Sequence, residues 1–266
     1  GAERWRRLAR RDAAGGHIDP ALGRYKSDQV RRLLRRWIPV LDGLRLLKTD
    51  LREEAFGDDE VLLSLLAPGE GAEIWVLDLS RTTVRRADRR RRDRGLVQHH
   101  VAGDVRALPF ADRSFDLVLS NSTLDHFEDP DDLVRALAEL RRVLAPAGRL
   151  VLTLNNGDNA LLRWLWRAEQ ALRPQGYPVR FYRPAEVDAA LARAGLRALR
   201  RDVIIHVPPL ANSALRAARR LRPALADGLA HPLLRIADGL QRLPGVRGRS
   251  GWFLACECVR SESVAE

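Results

Sequence analysis

Between Glu73 and Asn156 the sequence alternates short apolar runs with amphipathic segments, and this alternation constrains the fold more than any other feature. The apolar runs EIWVLDL (73–79), FDLVLSN (115–121) and GRLVLTLNN (148–156) end in or next to an acid or a small polar residue. Strands that alternate with helices predict a doubly wound, mostly parallel sheet. Because ligands bind beyond the carboxyl ends of such strands, these polar residues are predicted to line one crevice.

Apolar patterns on both sides of this block extend the predicted sheet to seven strands. The additional strands are expected at 44–50, 97–103, 196–207 and 251–260. The last of them follows a long insertion and is expected to lie antiparallel at or near the edge, as mixed sheets allow. The predicted fold class is therefore α/β, with a Rossmann-like, mostly parallel seven-stranded sheet.

The predicted chain organisation has four parts. They are an N-terminal helical segment or lid (1–42), the core (43–207), a helical insertion or cap (208–250) and the last strand with its tail (251–266). Helical spacing over 27–41 predicts the main helix of the first part, with Ser27 or Asp28 as its N-cap. The insertion is interpreted as a lid or a dimer surface, which leaves a homodimer open, although its arginine-rich helices would also suit a membrane surface or an acidic carrier protein.

The chain of 266 residues carries a net charge of +11, mostly from arginine. Such a charge favours anionic partners, but the run RRADRRRRDRG (85–95) is also typical of a solvated helix face. Cys256 and Cys258 are expected to be buried, reduced thiols, since two sulfurs do not make a zinc site. With no secretory signal and no apolar run of about 18 residues, the sequence predicts a cytoplasmic location and no transmembrane segment.

Four short motifs carry a resemblance to a known family. They are VLDLS (76–80), AGDVRALPFADRSFD (102–116), LVLSNSTLDHFEDP (117–130) and LRRVLAPAGRLVLTLNN (140–156). Together they resemble the motifs of class I S-adenosylmethionine (SAM)-dependent methyltransferases, especially the small-molecule type 11 group. The resemblance is good from Tyr25 to Asn156 and holds in outline for the later elements. It implies SAM as the cofactor and methyl transfer as the activity.

The resemblance assigns the adenosine contacts to two acidic turns. Asp78, followed by Leu79 and Ser80, stands where the family has the acid that binds both ribose hydroxyls. A carboxylate suits this role because each oxygen can accept one O–H donor. Asp104 would accept the adenine amino group, and the amide of Val105 would meet a ring nitrogen. The alternatives are a helix-capping role for the first acid and a structural loop role for the second.

The same resemblance puts the reacting centre at the end of the fourth strand. Ser120 and Asn121 would lie under the sulfonium and the methyl group, with Thr123 beside them, and Ser122 is predicted to bind the cofactor as well. His126 would sit on the rim, preceded by Asp125. Three interpretations of this histidine stay open: a general base for the acceptor, a residue that shapes the pocket, or a plain structural residue.

The first motif of the family is absent from this chain. The family has a strand, an acid and then glycines, roughly vLDiGcGtG, where this chain has LLKTDLREEAFG (46–57). Lys48 replaces the acid, Asp50 replaces the first glycine, and Arg52 and Glu54 replace the other two. These glycines normally let the backbone approach the methionine part of the ligand.

Two hypotheses follow from this departure. In the first, Asp50 pairs with the SAM ammonium and Lys48 or Arg52 with its carboxylate, with Thr49 in the same turn. In the second, the pocket is degenerate and the domain is a scaffold or binds something else. The intact adenosine motifs favour the first hypothesis.

The predicted substrate residues flank the same edge of the sheet. Tyr25 would belong to a lid, Asn155 follows the fifth strand, and Tyr177, Arg180 and Tyr182 lie in the next loop. An arginine there suits an anionic acceptor. The acceptor is therefore expected to be a small molecule, anionic or carrier-bound.

Three functions remain in competition. The leading one is a methyltransferase acting on O, N or C of a small molecule in secondary metabolism. The altered first motif leaves room for a SAM-utilising enzyme that catalyses cyclisation or elimination and releases methylthioadenosine, or for a non-catalytic partner subunit. The string SNST (120–123) after the fourth strand differs from the Asn/Asp-Pro-Pro-aromatic string of DNA amino-methylating enzymes, which argues against nucleic acid as the substrate.

Overall fold

The computed structural model describes residues 18–56, 71–93, 97–172 and 179–261. The strands are β1 (Arg45–Thr49), β2 (Glu73–Asp78), β3 (His99–Ala102), β4 (Phe115–Asn121), β5 (Leu144–Asn155), β6 (Leu196–Ile204) and β7 (Phe253–Arg260). The helices are α1 (Pro20–Trp37), α2 (Arg52–Phe56), α3 (Arg81–Asp93), α4 (Pro130–Val143), α5 (Ala160–Leu172), α6 (Pro184–Arg193), α7 (Ala211–Leu221), α8 (Pro223–Arg242) and α9 (Pro244–Ser250).

The strands form one seven-stranded sheet in the order β3-β2-β1-β4-β5-β7-β6. Strands β1 to β5 pair in parallel, and β7 is antiparallel to both β5 and β6. The α/β fold class and the antiparallel last strand are thus confirmed, with β7 one position from the edge. The strand order reverses between β1 and β4, which is where a doubly wound sheet opens its ligand crevice.

Helices cover both faces of the sheet because its central strands, such as β4 and β5, are buried on both sides. On one face, Leu34 of α1 and Ala237 of α8 share a core with strand residues such as Leu46. On the other face, α4 and α6 pack over the sheet, and Cys256 and Cys258 lie in that core as free, buried thiols. The interpretation of these cysteines as inert is consistent with their environment, since burial raises both pKa values.

Helix α1 begins at Pro20, so the predicted N-cap at Ser27 or Asp28 is wrong. Asp19 is the N-cap, and its Oδ1 accepts a hydrogen bond from the Ala21 amide at 3.0 Å. A proline at the first helical position has its φ already set for a helix, which makes the Asp-Pro pair a strong start. Asp19 also binds Arg219 of α7, with Nε to Oδ2 at 2.5 Å, and this ion pair attaches α1 to the insertion.

The predicted insertion is helical, as expected, and consists of α7, α8 and α9. None of the described helices is both long and apolar enough to cross a membrane. Helix α2 covers Arg52–Phe56, and residues 57–70 lie outside the described residues.

Candidate functional site

The candidate site lies where β1, β2 and β4 end side by side. Their last residues are Thr49, Asp78 and Asn121. The backbone of the β1 turn is fastened to β2, since the Asp50 amide donates to the Leu77 carbonyl at 2.7 Å. The polar strand ends predicted from the sequence are therefore brought together at one edge of the sheet.

Lys48 has a different partner from the one expected. Its Nζ lies 2.8 Å from both carboxylate oxygens of Glu54 and 3.0 Å from the Asp50 carbonyl oxygen. The side chains of Lys48 and Glu54 are only 1% and 2% exposed. The ammonium is enclosed under the β1 turn, so a contact with the SAM carboxylate would require this pair to open.

Asp50 keeps the backbone of the glycine that it replaces. Its φ is 125°, a value that residues with a side chain rarely adopt. Its Oδ1 accepts a hydrogen bond from the Arg52 amide at 2.8 Å, which stabilises the turn locally. The turn therefore retains a glycine-like shape although its glycines are gone.

A chain of hydroxyl groups joins β1 to β4 beneath the crevice. Thr49 Oγ1 lies 3.0 Å from Ser120 Oγ and 3.2 Å from Thr123 Oγ1, and the Thr123 hydroxyl donates to the Thr49 carbonyl. Thr49 and Ser120 are both fully buried. Both were predicted to contact the cofactor, and the structure gives them a role in joining two strands.

Asp78 lies close to Asp50 at the end of β2. Its Oδ1 accepts from the Ser80 amide at 2.7 Å and its Oδ2 from the Leu51 amide at 3.1 Å. Burial, followed by the charge of Asp50, raises the pKa of Asp78 to about 7. Ser80 directly precedes α3, and its Oγ accepts a hydrogen bond from the Thr83 amide at 3.3 Å.

Asp104 is held by an arginine two residues further on. The guanidinium of Arg106 spans both Asp104 oxygens, with Nη2 to Oδ2 at 2.6 Å, and its Nη1 reaches Asp132 at 2.6 Å. The same guanidinium lies 5.5 Å from the centre of the Phe127 ring. This arginine holds the pKa of Asp104 below its usual value. An adenine amino group would have to compete with Arg106 for this carboxylate.

Next to Asp78 and Asp104, Leu79 is exposed and Val105 is buried.

At the end of β4, Asn121 Oδ1 accepts from the Thr153 hydroxyl at 2.8 Å. The next residue, Ser122, has a φ of 50°, which turns the chain sharply away from the strand. Its amide donates to Thr153 Oγ1 at 2.9 Å. Asn121 and Ser122 are half-buried at the end of β4, and their contact with the cofactor stays a prediction.

Asp125 is a fully buried carboxylate beside the crevice. Its Oδ2 accepts from the Ser122 hydroxyl at 3.1 Å and from the Asn155 amide. No hydrogen-bond donor of the described residues reaches its Oδ1. Burial raises the pKa of this carboxyl. His126 Nε2 lies 3.9 Å from Oδ1, and the histidine is 24% exposed.

The segment around Tyr182 adds a short extension to the end of β5. The Tyr182 amide donates to the Asn155 carbonyl at 2.9 Å, and the Arg180 amide donates to the Asp125 carbonyl at 2.7 Å. The guanidinium of Arg180 lies 5.4 Å from the centre of the Tyr182 ring. The Tyr182 hydroxyl is buried, and it too has no hydrogen-bond partner among the described residues. The structure therefore assembles Asn155, Arg180 and Tyr182 around Asp125.

Two predicted substrate residues are not part of this group. Tyr25 packs between helices at 7% exposure, and its hydroxyl donates to Asp238 of α8 at 3.0 Å. It therefore joins α1 to the insertion. Tyr177 lies outside the described residues.

Three contacts of the site were missed at the sequence level. The signal for Arg106 was its spacing from Asp104, and the signal for Glu54 was its charge opposite to that of Lys48. Asn156 and Asn159 gave no such signal: their side-chain amides donate to the Gly251 carbonyl and thereby hold the end of α9 on the sheet. The described residues contain no group of three or more side chains that could hold a metal ion.

Comparison with known proteins relates the central part of this chain to a protein family. Residues 55–152 match the family model described as a methyltransferase domain. This range contains Asp78, Asp104 and Asn121 and begins just after Glu54. Over residues 55–152 the chain is therefore similar to a methyltransferase domain. The match to the methyltransferase model begins where the atypical turn of this chain ends.

Relatives of known activity and solved structures agree with this assignment. The chain is 34% identical over 163 residues to a malonyl-[acyl-carrier protein] O-methyltransferase of Methylococcus capsulatus, covering 55% of this chain and 54% of the relative. It is 36% identical over 131 residues to a demethylmenaquinone methyltransferase of Thermus thermophilus, covering 47% and 58%. The chain thus spans about half the length of the curated relatives that it matches.

The fold is also similar to that of solved structures. The [4+2]-cyclase SpnF superposes with a TM-score of 0.57 at 18% identity, over 87% of this chain and 80% of that chain. At such identity the likeness concerns the fold alone, and function has to be argued from the site.

Proposed function

We propose that this chain binds SAM in the crevice at the ends of β1, β2 and β4 and transfers its methyl group to O, N or C of a small-molecule acceptor. The observation that carries the proposal is the position of Asp78, Asp104 and Asn121 at or just after the carboxyl ends of β2, β3 and β4, inside the range that matches the methyltransferase model. A role in secondary metabolism, a cytoplasmic location and a homodimer stay predictions.

The residues of the crevice suit the nucleoside part of SAM. Asp78 already accepts two amide hydrogen bonds, but a carboxylate offers about four acceptor positions, so both ribose hydroxyls can still donate to it. Asp104 can accept the adenine amino group once Arg106 shares or releases one of its oxygens. These fits support SAM as the cofactor.

The methionine part is proposed to contact the atypical turn. Asp50 supplies a carboxylate for the ammonium group, next to Asp78, so the crevice is acidic where the ligand is positively charged. The ammonium of Lys48 is bound to Glu54, and we propose that Arg52, in the first turn of α2, contacts the carboxylate of SAM. The proposed contacts therefore use the charged residues that replaced glycines.

For methyl transfer, the protein mainly has to align the acceptor with the methyl group. When bound, SAM supplies an electrophilic methyl group on a positively charged sulfur. Asn121 and Ser122 form the floor beneath the reacting atoms, and water exclusion with an in-line approach of the acceptor would supply most of the rate. No metal is required for this transfer.

His126 and Asp125 are proposed to handle the acceptor's proton. His126 is the exposed member of the pair and can contact an acceptor O–H or N–H directly. Asp125 lies behind it, fully buried and anchored by Ser122 and Asn155, and is proposed to position the imidazole. The half-buried Arg180 is proposed to hold an acidic group of the acceptor.

The acceptor class is proposed from the relatives. One is named for a carrier-bound malonyl group and another for a demethylmenaquinone. A small anionic or carrier-bound acceptor fits both the arginine at the site mouth and the basic character of the chain.

Product analysis tests this proposal. The full chain is incubated with SAM and a panel of small carboxylic, phenolic and acyl-carrier-bound acceptors. S-adenosylhomocysteine and a methylated acceptor are the expected products. Methylthioadenosine would instead indicate cyclisation or elimination, and no turnover of any acceptor despite SAM binding would favour a non-catalytic subunit.

A further inference from the structure

A cavity of about 470 Å³ opens between α1, α8 and α9. It is lined by Arg32, Arg36, Asp238, Gln241, Arg242 and Arg247. Four of these six side chains are arginines, and they come from α1 and from the consecutive helices α8 and α9, which lie far from α1 in sequence. None of these residues belongs to the crevice described above.

The walls of the cavity are built by ordinary helix geometry. Arg32 and Arg36 are four residues apart on α1 and share its exposed face, while Leu33, Leu34 and Trp37 face the core. Asp238, Gln241 and Arg242 fall on one face of the last turns of α8, and Arg247 lies in α9. The charged face of α1 is thus turned toward the basic end of the insertion.

Ion pairs at the wall hold this arrangement in place. Arg36 and Arg247 both bind the carboxylate of Asp202, a residue of β6 that is only 7% exposed. Asp238 accepts hydrogen bonds from Tyr25 at 3.0 Å and Gln29 at 3.4 Å, which fix α8 against α1. The cavity is therefore a preorganised feature of the packed helices.

The charges of the cavity do not balance. Four guanidinium groups meet two carboxylates, Asp202 and Asp238, and this leaves two positive charges uncompensated. Arg32 and Arg242 are exposed, and neither forms an ion pair with any residue in the described parts of the chain. Guanidinium groups present several donors in a planar fork, which matches the oxygens of phosphate.

We propose that this cavity binds a phosphate ester or diphosphate, with Arg32 and Arg242 as the principal contacts. The volume lies within the range of small-molecule sites and exceeds what a phosphate group alone would fill, so the organic part of the ligand also fits inside. Gln241 and the polar lining favour a hydrophilic organic part. The proposal does not depend on methyl transfer.

Calorimetry and thermal denaturation of the full chain test the proposal. Inorganic phosphate and pyrophosphate are titrated at constant ionic strength against a chloride reference, without SAM. Saturable binding and a rise in melting temperature are expected, larger for pyrophosphate. In the variant with both Arg32→Ala and Arg242→Ala, the affinity for pyrophosphate should fall about tenfold or more.

The matched control is Arg220→Ala, which removes an exposed arginine of α7 that does not line the cavity. Its affinity for pyrophosphate should equal that of the unmodified chain. Because Arg32 and Arg242 are exposed, the double variant should also keep its melting temperature without ligand. Absence of saturable pyrophosphate binding, or an equal loss in the Arg220→Ala control, would overturn the proposal.

Discussion

The ammonium of Lys48 lies 2.8 Å from each carboxylate oxygen of Glu54, and both side chains are buried beneath the β1 turn. In the resembled first motif, Lys48 stands at the position of the acid and Glu54 at the position of the third glycine. The two residues that differ from the motif at these positions, Lys48 and Glu54, therefore form an ion pair with each other. The turn thus exchanges a flexible glycine sequence for a turn fixed by an internal ion pair.

Breaking this pair should be costly. Glu54→Ala leaves the Lys48 ammonium buried without its counter-charge, and the free energy of unfolding should fall by about 3–5 kcal/mol. Replacing both residues, with Lys48→Met and Glu54→Leu, should recover most of this loss because no buried charge remains. Urea denaturation measures both. Additive losses in the double variant would show that the pair itself is not what stabilises the turn.

Asp78 should make ligand binding depend on pH. Its folded-state pKa is about 7, raised by burial and by Asp50, and the ionised form is the better acceptor for two hydroxyl groups. Affinity for S-adenosylhomocysteine should therefore rise between about pH 6 and pH 8. Asp50→Asn removes one cause of the raised pKa and should move the midpoint to lower pH. A midpoint unchanged in Asp50→Asn would contradict this account.

The raised pKa of Asp78 also affects stability, which should fall with rising pH whereas ligand affinity rises. Because the folded-state pKa of Asp78 lies above the ordinary value of 3.8, folding favours its protonated form. The contribution of Asp78 to stability is fully present below about pH 4 and is lost as the pH rises through about 7. Asp78→Asn should flatten this part of the pH profile of the free energy of unfolding.

Arg106 should compete with the adenine ring for Asp104. In Arg106→Ala the carboxylate is released, and the affinity for S-adenosylhomocysteine should rise about two- to fivefold, which corresponds to a partly exposed ion pair of up to about 1 kcal/mol. Arg135→Ala is the control, since Arg135 contacts Asp132 at 3.3 Å but not Asp104. Weaker binding in Arg106→Ala would mean that the arginine contacts the ligand itself.

Gly157 should be required for the Tyr182 segment to reach β5. A Cβ at this position would lie 2.8 Å from the Tyr182 carbonyl carbon and 2.9 Å from the Arg183 nitrogen, and backbone atoms cannot yield easily. Gly157→Ala should reduce stability by about 1–3 kcal/mol. Gly239→Ala in α8 meets open space and should stabilise the chain by up to about 1 kcal/mol. Equal effects of the two substitutions in thermal denaturation would rule this contact out.

The sheet could be predicted from the sequence because the spacing of the apolar residues and the turn residues that bound each apolar run indicated the same strands. FDLVLSN became β4 with the expected bounds, and the Pro-bounded stretch after β6 became three helices. The start of α1 was misplaced because helical periodicity at 27–41 was stronger than the signal of the Asp19-Pro20 pair. Local patterns thus predicted that an element exists more accurately than they predicted the residue at which it begins.

The side chains of the site were harder to predict than its location. Asp78, Asn121 and Asp125 lie at strand ends or just after them, where the topology alone places them. The partners of Lys48 and Asp104 depend on side-chain packing and on competition between charges within a few residues, and neither has a periodic signature. The sequence alone does not distinguish a Lys48 that binds a ligand carboxylate from a Lys48 that binds Glu54.

The central claim is that this glycine-poor crevice binds SAM. Calorimetric titration of the full chain with S-adenosylhomocysteine at pH 8 tests it most directly, with Asp78→Ala measured alongside. The account predicts saturable binding with one ligand per chain and a loss of affinity of about tenfold or more in Asp78→Ala, since two hydrogen bonds to a charged group are removed. No binding at millimolar ligand, or equal affinity in Asp78→Ala, would contradict it.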